Sequence, residues 1–407
     1  KTPLNLQPIP KHRIMSRCLN GAIVIKNIKK YTIPVLILLG AAMAFNKPTY
    51  PEPEFYIPSQ VVEIDHSPAK LHSYEMVSGI TASVHSATAV ELDNGDILGM
   101  WYGGTREGHI DVALYSATFD QKHKVWSGHK KVLDRLDAAN SLNRYIKKIG
   151  NPVLIKHPQG PIVLIYVSVS LAGWASSQIN MAVSYDEGQS WHDSKQLTTT
   201  PFINISTLVK NAAVIYSDGT IGISAYHELK GEFSEIIRVN LNGDVINKYR
   251  MTSGTNTIQP SIIVRNPKEA IALIRDSSRD PQRVHFTETQ DAGKTWTPYE
   301  VLDVKNSNSA VFAFKDNKER NWMVFNDLTR DVEHSRNNLA IAVSTDGREW
   351  KTLHYFENPE LNPELDAKYS YPWVMESANS HYHLFYTVDR KYIKHIEFNQ
   401  TWLEGLL

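Results

Sequence analysis

Six times along the chain a polar turn opens into an apolar run that ends in polar residues. Asn94-Gly95-Asp96 leads into Ile97-Leu98-Gly99-Met100-Trp101-Tyr102, Gln159-Gly160 into Ile162-Val163-Leu164-Ile165-Tyr166, and Asp218-Gly219-Thr220 into Ile221-Gly222-Ile223-Ser224-Ala225-Tyr226. Pro267-Lys268-Glu269 leads into Ala270-Ile271-Ala272-Leu273-Ile274-Arg275, residues 316–320 into Trp322-Met323-Val324-Phe325-Asn326, and Asn379-Ser380 into Tyr382-His383-Leu384-Phe385-Tyr386. Bounded by turns, these short runs read as buried strands, and no long segment over residues 71–402 shows the helical period of about 3.6. The starts are spaced by roughly 50–65 residues, room for about four short strands and their turns.

A second motif runs in phase with the first. Ser184-Tyr185-Asp186-Glu187-Gly188-Gln189-Ser190-Trp191 returns as Thr289-Gln290-Asp291-Ala292-Gly293-Lys294-Thr295-Trp296 and, one residue shorter, as Ser344-Thr345-Asp346-Gly347-Arg348-Glu349-Trp350. In each box Asp can hydrogen-bond its own backbone, Gly supplies positive φ, and Trp returns to the core. Degenerate turns at Asp120 with Trp126, at Asn242-Gly243-Asp244 and at Asn399-Gln400-Thr401-Trp402 fall where the period wants one. The prediction is an all-β chain whose residues 56–407 form a six-bladed β-propeller, in preference to a β-sandwich or β-helix.

Pseudo-symmetry then has a chemical consequence: the residues just past the equivalent strand of each repeat should gather on one face, around the axis. They are Gly103-Gly104-Thr105-Arg106-Glu107, Ser168 with Ser170, His227-Glu228, Arg275-Asp276, Asn326-Asp327 and Asp389-Arg390. A funnel lined by Arg, Glu, Asp, Asn and Tyr suits a polar, anionic, hydroxylated ligand, because guanidinium groups bind carboxylates as a bidentate fork. Trp174, in a loop of small residues, is placed to stack on a sugar ring.

Composition narrows the partners. The 43 basic and 43 acidic residues cancel, so nucleic acid is not an expected ligand. One cysteine, Cys18, excludes an intrachain disulfide framework and a cysteine-based metal site. Without a His-x-x-x-His pair on a helix or a glycine-rich phosphate loop, neither a metal nor a cofactor is expected. Asp276-Ser277-Ser278-Arg279-Asp280 reads as a charged surface turn rather than a calcium loop. Lys26, Lys29 and Lys30 precede an apolar run over residues 31–45, followed by a proline-rich stretch. That run has the length of a signal-sequence core, and Ala42-Met43-Ala44 resembles a cleavage site. The expectation is therefore a leader over residues 1–55 and an exported protein, periplasmic or secreted, with anchoring to a membrane through residues 31–45 as the alternative.

The boxes, with three further segments, resemble the sialidase superfamily, and within it the divergent bacterial proteins built from Asp-box (BNR) repeats. The resemblance covers most of residues 71–402. It implies a six-bladed propeller in which three arginines hold a substrate carboxylate, a tyrosine paired with a glutamate is the nucleophile, and an aspartate on a loop is the acid/base. Arg275, ahead of the second box, resembles the second arginine of that triad. Arg336, ahead of the third, resembles the third. Tyr369-Ser370 resembles the pair that carries the nucleophile, with Tyr371 on the same face by alternation and an alternative phenol.

Two positions depart from the pattern. Val84-His85-Ser86-Ala87 stands where the first arginine is expected, and Ile258-Gln259-Pro260 where the activating glutamate is expected. An amide cannot take the phenolic proton, and a tyrosine of pKa near 10 is a poor nucleophile at neutral pH. From the neighbouring residues, Glu107 or Asp111 is the candidate acid/base and His85 a candidate base. Arg106 is a candidate replacement arginine and Gln259 a ligand for a sugar hydroxyl, while Asn326 and Arg390 complete the expected binding set. Three functions follow: a hydrolase releasing a terminal acidic sugar from a glycan or polysaccharide, a lyase acting next to a uronate carboxylate, and a glycan-binding propeller without catalysis.

Overall fold

The computed structural model describes residues 32, 34, 35, 38, 50–58, 67–200, 204–331, 334–360 and 367–407; the apolar run over residues 31–45 of the expected leader lies almost wholly outside them. One compact unit runs from Pro53 to Leu407. Its described residues form six antiparallel sheets, here called blades. Blade 1 holds Ser83–Glu91, Ile97–Gly104, Ala113–Asp120 and a split outer strand, Val125–Trp126 with Lys130–Asp134. Blade 2 holds Lys148–Lys156, Ile162–Val169, Gln178–Ser184 and Lys195–Gln196. Blade 3 has a broken innermost strand, Leu208–Val209 and Val214–Ile215, then Ile221–Tyr226, Ser234–Val239 and Val245–Arg250.

Blade 4 holds Thr257–Val264, Ala270–Asp276, Arg283–Thr289 and Glu300–Lys305. Blade 5 holds Phe312–Lys315, Asn321–Phe325, Leu339–Ser344 and Lys351–Glu357. Blade 6 takes Tyr369–Glu376, His381–Val388 and Tyr392–Asn399, and its outer strand, Leu71–Ser78, comes from the other end of the chain. The innermost strands neighbour one another in sequence order, and the last lies against the first, so the ring is closed. The six apolar runs of the sequence are the second strands of the six blades. Each is a continuous apolar run because both of its faces are covered by neighbouring blades, and Ile162–Val169 is buried at every position. Separate apolar cores fill the gaps between blades 1 and 2, 3 and 4, and 4 and 5.

Each box links a third strand to a fourth, at the end away from the strand ends that carry the candidate site. The Ser184 hydroxyl accepts from Gly188 N–H at 2.8 Å, and Asp186 accepts from Ser190 N–H at 2.9 Å; Thr289 and Asp291 repeat this with Gly293 at 3.0 Å and Thr295 at 2.8 Å. The box tryptophans Trp191, Trp296 and Trp350 are half-buried and pack against the inter-blade cores. Every box reaches back onto the preceding blade. A Cβ on Gly188, at φ +80°, would sit 2.5 Å from Leu98 Cδ2, so only glycine fits there. The degenerate turns do the same. Lys195 of blade 2 donates to Asn242 O at 2.9 Å, Trp402 packs on Phe356 of blade 5, and Lys124 pairs with Glu397 of blade 6 at 2.7 Å.

Blade 6 is sealed over buried imidazoles. Tyr74 of its outer strand donates to Glu397 at 3.2 Å, and Glu397 also accepts from His381 at 2.5 Å. Beside them His383 Nδ1 lies 2.9 Å from His395 Nε2, both rings fully buried. Burial pushes His383 down to about 3 and His395 well below its ordinary value, with the Lys124 and His381 charges adding to this at His383 and the Glu397 carboxylate opposing it at both. Because the folded values lie below the unfolded value of about 6.5, the unfolded chain binds more protons in acid. Stability is then full above about pH 6.5 and falls as the pH drops towards 3. Thermal melting across that window should show the acid limb flattened in His383→Asn, by on the order of a few kcal/mol; an unchanged limb would assign the acid sensitivity to other groups.

Candidate functional site

The site grows from one irregularity repeated around the axis. The innermost strand loses register between His85 and Thr88, Gly150 and Val153, Ile258 and Ser261, and Ser370 and Trp373. At these bulges Ser86, Asn151, Gln259 and Tyr371 take φ of +57°, +41°, +54° and +57°. In three of the four the next residue is proline, Pro152, Pro260 or Pro372, which has no N–H to leave unpaired when the ladder breaks. Blade 3 breaks altogether at Lys210-Asn211, between its two inner segments. Polar side chains are thereby turned towards the axis in the midst of apolar strands.

At the centre the His85 and Tyr371 rings stack with centroids 4.2 Å apart. The Arg275 guanidinium donates to Gln259 Oε1 at 2.9 Å and to Asn308 Oδ1 at 2.8 Å. This fixes the orientation of the Gln259 amide, whose Nε2 then donates to the Tyr371 hydroxyl at 3.1 Å and to the Tyr226 hydroxyl at 3.2 Å. Arg336 donates to Asn308 O at 2.6 Å, and Arg390 pairs with Glu107. Beneath Tyr371 the buried Lys210 donates to Pro372 O and, at 2.8 Å, to Asn211 Oδ1. Asn211 in turn donates to the carbonyls of Gln259, Pro260 and Val311, joining the inner strands of blades 4 and 5 at the axis.

Positive charge dominates this cluster. Among the described residues neither Arg275 nor Arg336 has a carboxylate partner. Burial and the neighbouring Arg275 charge push Arg336 down to about 10. Burial, followed by the charges of Arg390, Arg336, Lys210 and Arg275, pushes His85 well below its ordinary value, so its imidazole is neutral. Lys210 is lowered by its burial and by Arg275. Two carboxyls approach from the rim: Glu107, and half-buried Glu228, which burial raises against the pull of Arg275. Lys148 sits 4.0 Å over the Trp174 ring, which covers Gly150 on the blade 2 wall.

The structure therefore brings together His85, Gln259, Arg275, Arg336, Tyr371, Arg390 and Glu107 of the expected residues, with Trp174 on the wall. Four others lie elsewhere. Tyr369 is buried in the core against Tyr386, and its hydroxyl faces Glu357; the bulge at Tyr371 breaks the alternation that would have put both phenols on one face. Of the two, the phenol in contact with the cluster is Tyr371. Asn326 is wholly buried and ties Asn338 O and Tyr369 O at 2.5 and 3.1 Å, a strand-holding task. Arg106 is exposed on its loop, with no contact from its guanidinium to the cluster among the described residues. Asp111 closes that loop by accepting from Thr105 Oγ1 at 2.6 Å, and the hydroxyl bond pulls its carboxyl down to about 2, unfit to donate a proton at neutral pH. Lys210, Asn308 and Tyr226 were not anticipated, and Glu228 was expected only as a residue just past its strand. A Lys-Asn pair inside the apolar stretch Leu208-Val209-Lys210-Asn211-Ala212-Ala213-Val214 is the signal that would have found the first.

The cationic packing around His85 is open to direct measurement. Its ring-proton resonance should stay at the neutral position through the pH range in which an ordinary histidine titrates, near 6.5. A midpoint at the ordinary value would refute the charge arrangement described above.

Comparison with known proteins agrees with this architecture. The NanB sialidase of Streptococcus pneumoniae superposes with a TM-score of 0.64 at 11% identity, over 80% of this chain and 70% of that one. A leech intramolecular trans-sialidase superposes with a TM-score of 0.65 at 11% identity, over 83% and 71% of the two chains. A protein of unknown function from Dyadobacter fermentans gives 0.61 at 12% identity, over 81% of this chain and 99% of that one. No curated protein matches by sequence. At these identities the superpositions establish the fold alone, a six-bladed propeller of the sialidase kind. The sequence pattern of the BNR repeat-like domain matches residues 95–384, and the chain belongs to that family.

Proposed function

We propose that the protein binds the acidic terminal sugar of a glycan and cleaves its glycosidic bond, as a sialidase-like glycoside hydrolase. The observation that carries this reading is the convergence of Arg275 and Arg336, both without a carboxylate partner among the described residues, with Arg390 beside the Tyr371 phenol. A sugar carboxylate would supply the missing counter-charge as a bidentate partner. In this reading Tyr371 is the nucleophile or the stabiliser of the developing oxocarbenium ion, oriented by Gln259. Trp174 offers an apolar face to the sugar ring. Glu107 and Glu228 lie within electrostatic reach of each other at the rim. Glu228, whose burial favours the protonated carboxyl, has the environment of the acid, and Glu107 holds Arg390. With the apolar run over residues 31–45 read as an export signal, the substrates are glycans outside the cytoplasm.

A second reading is favoured by one feature. Gln259 donates to the Tyr371 oxygen and so cannot take its proton, whereas the neutral His85 has a lone pair to offer a proton. A lyase needs only a base at the carbon next to a carboxylate whose charge the arginines neutralise. His85 or Tyr371 would remove that proton, the bond to the leaving oxygen would break, and a double bond would remain in the sugar.

A panel of sialylated and uronate-containing glycans separates the two: a hydrolase releases a free acidic sugar, and a lyase produces an unsaturated, ultraviolet-absorbing one. In the hydrolase reading Tyr371→Phe should lower kcat by at least ~100-fold with little change in binding, while Tyr369→Phe keeps most of the activity. Arg275→Ala should raise KM for the acidic substrate by roughly tenfold or more. Full turnover by Tyr371→Phe, or cleavage confined to neutral sugars, would remove the proposal.

A further inference from the structure

Beside the guanidinium cluster, on the side of blades 5 and 6, lies a cavity of about 710 Å³, within the range of roughly 300–1,000 Å³ typical of small-ligand sites. Its lining includes Arg336, Lys368, Ser370, Asp389, Arg390 and Lys391. Arg336 and Arg390 are shared with the site above, so the two spaces are continuous. Four of these six side chains are cationic and one is acidic.

Among the described residues the charges do not cancel locally. Glu107 is already bound to Arg390. Asp389 accepts from Lys391 Nζ at 3.3 Å and from the Lys368 backbone N–H at 2.8 Å, so its charge is committed to Lys391. Arg336 at the base and the Lys368 ammonium at the mouth are left, among the described residues, without a carboxylate. A single sugar carboxylate held by Arg275, Arg336 and Arg390 would satisfy the base and leave the mouth unmatched. The Ser370 hydroxyl, also in the lining, adds a neutral donor for an oxyanion.

We propose that this cavity binds a second anionic group of the same glycan, a carboxylate or a sulfate ester on the unit next to the terminal acidic sugar, with Lys368 as the residue that recognises it. The proposal rests on the acidic-sugar reading of the neighbouring site and narrows the substrate class to glycans carrying at least two acidic groups in succession. Lys368 is exposed, and its ammonium makes no hydrogen bond or ion pair among the described residues, so a substitution there is expected to leave the fold intact.

The test is a binding titration of the full chain with paired probes: galacturonic acid against digalacturonic acid, N-acetylneuraminic acid against its dimer, and a chondroitin disaccharide with and without its sulfate ester. The doubly acidic member of at least one pair should bind roughly fivefold or more tightly at low salt, and the advantage should shrink as salt is added. Which pair shows it distinguishes a carboxylate from a sulfate. Lys368→Gln should abolish the advantage and Lys368→Glu reverse it, both leaving the affinity for the singly acidic probe unchanged. Equal affinity for both members of every pair, or an advantage that survives Lys368→Gln, overturns the second-anion proposal while the acidic-sugar reading stands. Absence of binding by every probe, or binding by the singly acidic probes that Arg275→Ala leaves intact, overturns that underlying reading and this proposal with it.

Discussion

The constraint on which the site depends is that an innermost propeller strand cannot stay regular and also present chemistry to the axis. A regular strand alternates its side chains between the two inter-blade cores. Only a break in the ladder turns a polar group towards the centre. Here the break is made by residues with positive φ, conformations that cost of order 1–3 kcal/mol each when the residue is not glycine. Lys210 and Asn211 hold the result together. By bonding to Pro372 O, Gln259 O, Pro260 O and Val311 O they satisfy carbonyls that the broken ladders leave without strand partners. Tyr371 and Gln259 are thus oriented by backbone contacts below them as well as by the side chains around them.

Electrostatics follow from the same geometry. Burial of the hub, and after it the mutual repulsion of the guanidinium groups and lysine carried there, is why His85 is neutral and Arg336 is lowered. Amide oxygens from Gln259 and Asn308 offset part of this by accepting from Arg275, without cancelling the charge. The uncharged amide at position 259 adds no negative charge, so the hub stays cationic and attractive to an anion.

The sequence disclosed the repeat far better than the hub. The six second strands were legible because burial on both faces makes them uninterrupted apolar runs, as in Ile162-Val163-Leu164-Ile165-Tyr166. Arg275 and Arg390 were found because they terminate such runs. Tyr369 was misplaced because alternation holds only as far as the ladder does, and one positive φ at Tyr371 redirects everything around it. Asn326 had the right position in its repeat, yet its side chain is spent on backbone carbonyls, which no periodicity reveals. Asp111 sat on the right loop, where its bonds to Thr105 and His109 commit it to shaping the turn. The polar-then-proline pairs Asn151-Pro152, Gln259-Pro260 and Tyr371-Pro372 mark the bulges in hindsight, since a strand interior otherwise excludes proline.

The turns between third and fourth strands, each seated on the blade before it, give the molecule a handed interlock. In a linear stack of repeats the first member has no predecessor and the last no successor, so the ends fray. Here the turn of blade 1 rests on blade 6 through Lys124 and Glu397, residues 273 positions apart, and blade 6 itself is finished by the strand Leu71–Ser78. The leading strand therefore stays unpaired, and the turn of blade 1 unlatched, until the last blade has been synthesised. A chain released before its final residues would lack both the latch for its opening repeat and the partner for its leading strand, and would expose an unpaired edge at each.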